Sequence, residues 1–190
     1  MFNFTISPAG AISKEFLSRD IPDFSAACKY MTQIPYGRNT DKADPGIVFT
    51  DGCGTCSTKH ALLKNLAIEN DQPAARLMLA VFKMNAQNTP AIKEILAGHN
   101  LPYIPEAHNY ILAGDEMVDC TKPGFSIKNF SSDIMHQIEI VPGQINAFKV
   151  AYHKEFLQNW LRENPDLKIT SEKLWIIREA CIQKLTAPII

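Results

Sequence analysis

This chain carries five cysteines, Cys28, Cys53, Cys56, Cys120 and Cys181, and one of them has the setting that a nucleophile needs. A thiolate rather than a thiol attacks a carbonyl, so a reactive cysteine must sit where negative charge is favoured. Cys56 directly follows Thr55, a good helix cap. That order places the sulfur in a first helical turn, beside unpaired N–H groups and the positive end of the helix dipole. The Cys56 N–H can then donate to an oxyanion. Gly52 and Gly54, just upstream, allow close backbone approach to a substrate. The competing interpretation is a small cysteine packed beneath a helix end.

A base and a group to orient it come from further along the chain. His108 begins an alternating apolar stretch, and Asp119 follows across a turn signal, so neighbouring strands of a hairpin can bring imidazole and carboxylate together. The carboxylate would fix the tautomer and direction of the ring, as in a Ser-His-Asp triad. His60 lies one helical turn after Cys56 and is a second possible base, although a packed helix residue is the expectation there. Tyr36, Arg38, Asn39 and Thr55 are candidates for oxyanion or substrate contact, and a tyrosine hydroxyl or asparagine amide can supply a second oxyanion donor. His99, His136 and His153 have no positioned partner in the sequence, Cys28 and Cys181 fall in apolar helical patterns, and Cys120 should point away from Asp119 into the core.

Cys53 and Cys56 also form a C-x-x-C pair, which suggests two other chemistries. A thioredoxin-like redox pair needs a strand feeding directly into the motif. The preceding segment is loop-like apart from a brief apolar Ile47-Val48-Phe49. A zinc site could recruit Cys53, Cys56 and His60 or His108, but no second C-x-x-C or closely paired histidines complete a tetrahedral set. No metal or cofactor is expected.

The elements that must carry these residues read as follows. A helix runs from Ile21 to about Gln33, with Pro22 in its first turn, and about twenty irregular residues lead from it to Thr55. The helix from Cys56 carries Ala61, Leu62, Leu66 and Ala67 on one stripe. Residues 74–84 are almost all apolar and read as a strand buried on both faces. Thr89 caps a short helix with Pro90 in its first turn, and Gly98 stops it. A hairpin follows from Ala107, turning between Ala113 and Glu116 with Asp119 on the return strand, then a strand over Ile134 to Val141. Helices over 146–163 and 171–185 close the chain and pack Trp160 and Trp175. Helices, a small antiparallel sheet, then helices make an α+β domain.

Taken together, the segments DGCGTCSTKHALL, EAHNYIL and MVDCTKPG resemble the transglutaminase-like superfamily over roughly residues 36–124. The most specific part is Gly54-Thr55-Cys56 with Lys59, Leu62 and Leu63; the closest likeness is to small bacterial members. The resemblance implies a papain-like cysteine-proteinase fold, with a core over about 21–141 and a helical extension over about 146–187 in one domain. It implies Cys56 as nucleophile, His108 as general base and acid, and Asp119 as orienting carboxylate. It also implies peptidase, amidase or acyl-transfer chemistry on a peptide, protein or small amide. No tryptophan precedes Trp160, no acidic cluster matches the family's calcium sites, Asn109 follows the histidine, and the His-to-Asp interval is short. These departures argue against a calcium-dependent protein cross-linker.

Composition sets the outer bounds. At 190 residues, with 46% hydrophobic and 21% charged, the chain can bury one substantial core. A formal net charge of -1 and the lack of a basic run give no reason to expect nucleic acid or anionic membrane as partner. No secretory signal or spanning segment is legible, so a soluble, cytoplasmic protein is expected. The alternative from another class is an inactive binding domain that presents the loop from Tyr36 to Asp51.

Overall fold

The computed structural model describes residues 2–186. Its centre is a four-stranded antiparallel sheet in the order β3-β2-β1-β4, formed by β1 (Ala75–Asn85), β2 (Tyr103–Ala113), β3 (Glu116–Val118) and β4 (Ile134–Ile140). Around it stand α1 (Ala11–Leu17), α2 (Phe24–Gln33), α3 (Ile47–Asp51), α4 (Cys56–Glu69), α5 (Lys93–Gly98), α6 (Ala147–Glu163) and α7 (Ser171–Thr186). The α+β class read from the sequence is thus the observed one. Among the described residues no helix is long and apolar enough to cross a membrane.

β1 is buried on both faces, and its alternation divides the interior in two. Ala75, Leu77 and Leu79 face a cluster with Leu62, Leu63 and Leu66 of α4 and Phe24 and Met31 of α2. Met78, Ala80, Phe82 and Met84 face a second cluster with Leu157 and Trp160 of α6 and Leu174 and Ile177 of α7. β2 pairs with β1 from Ala75↔Ala113 to Asn85↔Tyr103, and β3 pairs with β2 only from Ile111↔Val118 to Ala113↔Glu116. The carboxy-terminal helices therefore pack on one face of the sheet, which Ile92, Leu96, Ile127 and Phe130 also cover.

Several boundaries differ from the sequence reading. The second helix starts at Phe24 rather than Ile21, because the Asp23 side chain caps it by accepting from the Ala26 N–H at 2.8 Å. The return strand ends at Val118, so Asp119 lies just beyond it rather than on it. The twenty-residue approach loop contains α3, which Gly52 terminates in the left-handed conformation at φ 62°. α1 was not expected at all. It has no side-chain cap of its own; Glu69, at the end of α4, accepts from the Ile12 N–H at 3.0 Å and the Ser13 N–H at 2.6 Å instead.

One ion pair fixes α7 to the sheet. Arg178 Nε donates to Glu106 Oε2 at 2.8 Å and Nη2 to Oε1 at 2.5 Å, with Glu106 only 6% exposed. A bidentate pair this enclosed depends on both partners, since either charge left alone is desolvated without compensation. Arg178→Met should cost about 3–5 kcal/mol in urea denaturation, and the double variant Glu106→Leu/Arg178→Met should recover most of that loss.

Candidate active site

Thr55 caps α4 as expected. Its hydroxyl accepts from the Thr58 N–H at 3.4 Å, and Thr58 Oγ1 accepts from the Thr55 N–H at 2.9 Å, a reciprocal box that fixes the entry of the chain into the helix. Cys56 is then the first helical residue, 8% exposed. Gly54 has a different reason from the one read in the sequence: a Cβ there would lie 2.9 Å from Lys59 Cγ and 3.2 Å from Val48 Cγ2. The close approach it permits is to its own loop, and Gly54 N–H donates to the Pro35 carbonyl at 3.0 Å while Gly37 N–H donates to the Gly54 carbonyl at 3.2 Å. Tyr36 is held beside Gly54 by that pairing.

His108 and Asp119 meet. Extending the β2–β3 register one residue past Val118 sets Asp119 opposite Tyr110, on the face that Tyr110 shares with His108 two residues away. His108 Nε2 and Asp119 Oδ2 are 2.9 Å apart, and Asp119 Oδ1 accepts from the Thr121 hydroxyl at 2.6 Å and the Thr121 N–H at 3.1 Å. Rings of Phe82, Phe125 and Phe130 enclose the imidazole with centroids 6.2, 5.5 and 5.7 Å away. With Nε2 on the carboxylate, the other ring nitrogen is left for Cys56, which lines the same cleft as His108.

His60 does not compete for the sulfur. Its Nε2 accepts from the Cys120 N–H at 2.8 Å, so Nδ1 carries the proton and donates to the Cys56 carbonyl at 2.6 Å. It braces the Cys56 backbone against the Asp119–Cys120 segment from behind. Lys59, wholly buried, does similar work: its ammonium donates to the Thr121 carbonyl at 2.8 Å and to the Ile34 carbonyl.

The sequence reading missed Lys149. Its ammonium donates to Asn109 Oδ1 at 2.7 Å and Ser57 Oγ at 2.8 Å and lies 3.8 Å from Cys56 Sγ. A signal for it was available: the buried stripe of α6 is Lys149, His153, Leu157 and Trp160, so a lysine and a histidine occupy positions where the helical period calls for apolar residues. Asn109, noted above only as unusual, is the acceptor for this lysine; its amide also donates to the Met78 carbonyl at 2.9 Å.

The remaining candidates separate. Tyr36 lines both cavities that meet at Cys56. Asn39 spends its amide hydrogens on the Cys53 carbonyl at 2.8 Å and Asp51 at 3.1 Å, and its oxygen accepts from the Thr58 hydroxyl at 2.7 Å, so it braces the loop and donates to nothing at the sulfur. Arg38 is largely exposed and pairs with Glu179 at 2.5 Å. Cys53 directs its sulfur to the Arg38 carbonyl at 3.7 Å, whereas Cys56 faces Lys149, so the two sulfurs of the C-x-x-C have different partners. Cys120 is 2% exposed in the core; a hydrogen bond from Cys28 brings its thiol down to about 6, but it lines neither cavity. Comparison of the chain with known protein families, curated proteins and solved structures found no match.

The electrostatics follow from these contacts. Burial on its own would raise the Cys56 thiol, but attraction from Lys149 and then His108 holds it well below the ordinary thiol range, helped by the Asn109 backbone N–H. Burial disfavours the His108 cation, yet Asp119 and then the Cys56 thiolate raise it to about 10. Burial opposes charge on Asp119 as well, and His108 overcomes it, keeping the carboxyl below its usual range. Both shifts favour thiolate and imidazolium as the resting pair. Alkylation of Cys56 by iodoacetamide should rise far less between pH 6 and 9 than the roughly two-hundredfold gain of a free thiol near 8.5 over that span. Mass spectrometry of labelled peptides reads the rate, and Lys149→Met should move the rise in rate to higher pH.

Proposed function

We propose that the protein is a cysteine-dependent acyl-transfer enzyme that opens an amide bond, with a transglutaminase-like, papain-related arrangement of Cys56, His108 and Asp119. The single observation that carries the reading is the convergence of three distant segments. A cysteine in a first helical turn, its thiol held low, faces a histidine whose far nitrogen is 2.9 Å from a buried carboxylate.

In the proposed reaction the Cys56 sulfur attacks the amide carbon and the carbonyl electrons move to oxygen. The Cys56 N–H, free in the first turn, and the nearby Lys149 ammonium stabilise that oxyanion. As the oxyanion collapses, the C–N bond breaks, His108 gives its proton to the departing amine, and a thioester remains on Cys56. His108, now neutral and still aligned by Asp119, takes a proton from water or from a second amine, which attacks the thioester and restores the thiolate. Water gives hydrolysis and an amine gives transfer. The carboxy-terminal helices belong to the same working unit in this reading, because α6 supplies Lys149.

p-Nitrophenyl acetate tests the first half-reaction. We expect a stoichiometric burst of p-nitrophenol and an acetyl group on Cys56 by peptide mapping, discharged faster by added hydroxylamine. His108→Ala should slow hydrolysis of the acetyl-enzyme, where the ring takes the proton from water, by about a hundredfold or more, and Cys56→Ala should abolish the burst. A Cys56 that acetylates no faster than free cysteine would overturn the reading.

A further inference from the structure

Cys56 lies at the junction of two unlike cavities. On the His108 side is a small cleft of about 50 Å³ walled by Phe82, Met84, Phe125, Ile182 and Leu185. On the Lys149 side is a larger one of about 220 Å³ between the start of α4, α6 and α7. The proton that His108 delivers must reach the leaving amine, so the amine side of the scissile bond lies over the apolar cleft. The acyl side then extends into the larger cavity.

The charges in that cavity do not cancel. Arg178 is met by Glu106 and by Glu179 at 2.5 Å, and Glu179 also receives Arg38. Two arginines thereby balance two carboxylates. Lys149 and Lys42 remain, and among the described residues neither has a carboxylate within ion-pair distance. Lys149 is only 9% exposed; the Cys56 sulfur is the strongest of its anionic neighbours, and the second, Glu106, is already paired with Arg178. Acylation removes the sulfur's charge and leaves a buried ammonium with two neutral acceptors, Ser57 and Asn109. Burial, then repulsion from Arg178 and from Lys42, weakens the Lys149 cation.

We propose that this cavity is the acyl-donor subsite and that it takes a donor bearing a carboxylate close to the scissile carbonyl, held between Lys149 and Lys42. One carboxylate and the thiolate together balance the two lysines, and the carboxylate remains as partner for Lys149 once the sulfur is acylated. A neutral donor provides neither compensation. The inference rests on the acyl-transfer reading of Cys56, and the following experiment separates the two.

Alkylation of Cys56 by iodoacetate and by iodoacetamide is compared at equal concentration; each forms the S–C bond and expels iodide, and only one probe carries a carboxylate. Expressed relative to free cysteine, the iodoacetate/iodoacetamide ratio should rise by about tenfold at low salt and fall toward unity in high salt. Lys42→Glu, at an exposed position, should bring the ratio to the free-cysteine value or below, and taking the ratio within one variant cancels any change in sulfur reactivity. Two further pairs locate the carboxylate. A gain for chloroacetyl-glycine over its amide assigns a chain terminus, and a gain for chloroacetyl-aspartamide over the asparagine analogue assigns an acidic side chain. Fast labelling by iodoacetamide with a ratio like that of free cysteine overturns the subsite and leaves the nucleophile standing, as does a gain in neither chloroacetyl pair. Slow labelling by both iodo reagents overturns the nucleophile and the subsite with it.

Discussion

The buried ammonium of Lys149 is the constraint on which the site depends. Taking a lysine out of water costs several kcal/mol unless charge and hydrogen bonds replace its hydration. Two neutral oxygens, from Ser57 and Asn109, supply hydrogen bonds but no charge. The main compensating charge is the Cys56 sulfur, with Glu106 second. Lysine and thiolate thus each favour the other's ionised form, against a burial that weakens the Lys149 cation, and the geometry follows from that need. Asn109 must turn its oxygen toward the lysine, and the Met78 carbonyl fixes that choice by accepting from its amide nitrogen. α6 must dock with its first turn against the start of α4, which its apolar Leu157 and Trp160 secure further along the same stripe.

A charge pair this sensitive to position needs a backbone that does not move, and buried polar struts supply it. Lys59 ties the end of α2 to the segment after Asp119, and His60 ties the Cys56 carbonyl to Cys120. Asn39 ties the approach loop to Thr58 on α4. Each strut joins elements far apart in sequence, so the segments bearing Cys56 and Asp119 are located by contacts outside themselves. Sites braced in this way hold their groups to the tolerance that directional chemistry requires.

What the sequence made legible is what local rules govern. Thr55 before an apolar stripe marked the start of α4, and a nearly continuous apolar run marked β1. The turn at Ala113 to Glu116 brought His108 and Asp119 together even though the ladder stops at Val118. What stayed hidden depends on distant partners. α1 is seven residues long and takes its cap from Glu69, so nothing within it announces a helix. α3 hides inside a polar loop, with only Ile47 and Val48 buried. Asn39 looked like an oxyanion donor because an amide in a loop is free until its partners are known, and here they are Asp51, Cys53 and Thr58. Lys149 sat in plain view on the buried stripe of α6, but its meaning required the tertiary contact with Cys56.

The two cations around the sulfur do different work in the proposed cycle. The ring is neutral only while the sulfur is acylated, and it is charged again when the thiolate returns. Lys149 is independent of that proton and adds a second compensating charge to the returning thiolate. The imidazole can then deliver its proton to a leaving amine and recover one from the acceptor without the sulfur being reprotonated between turns. Asp119 works on the other side of this balance, since its attraction helps raise His108 to about 10 and makes the proton harder to release. The ring therefore gives its proton readily only to a strongly basic acceptor, such as the nitrogen expelled from a collapsing tetrahedral amide adduct. A weakly basic leaving group, by contrast, departs without needing the proton. In this arrangement an amide draws on every group at the site, and an activated ester draws on the sulfur, its cation and the oxyanion donors.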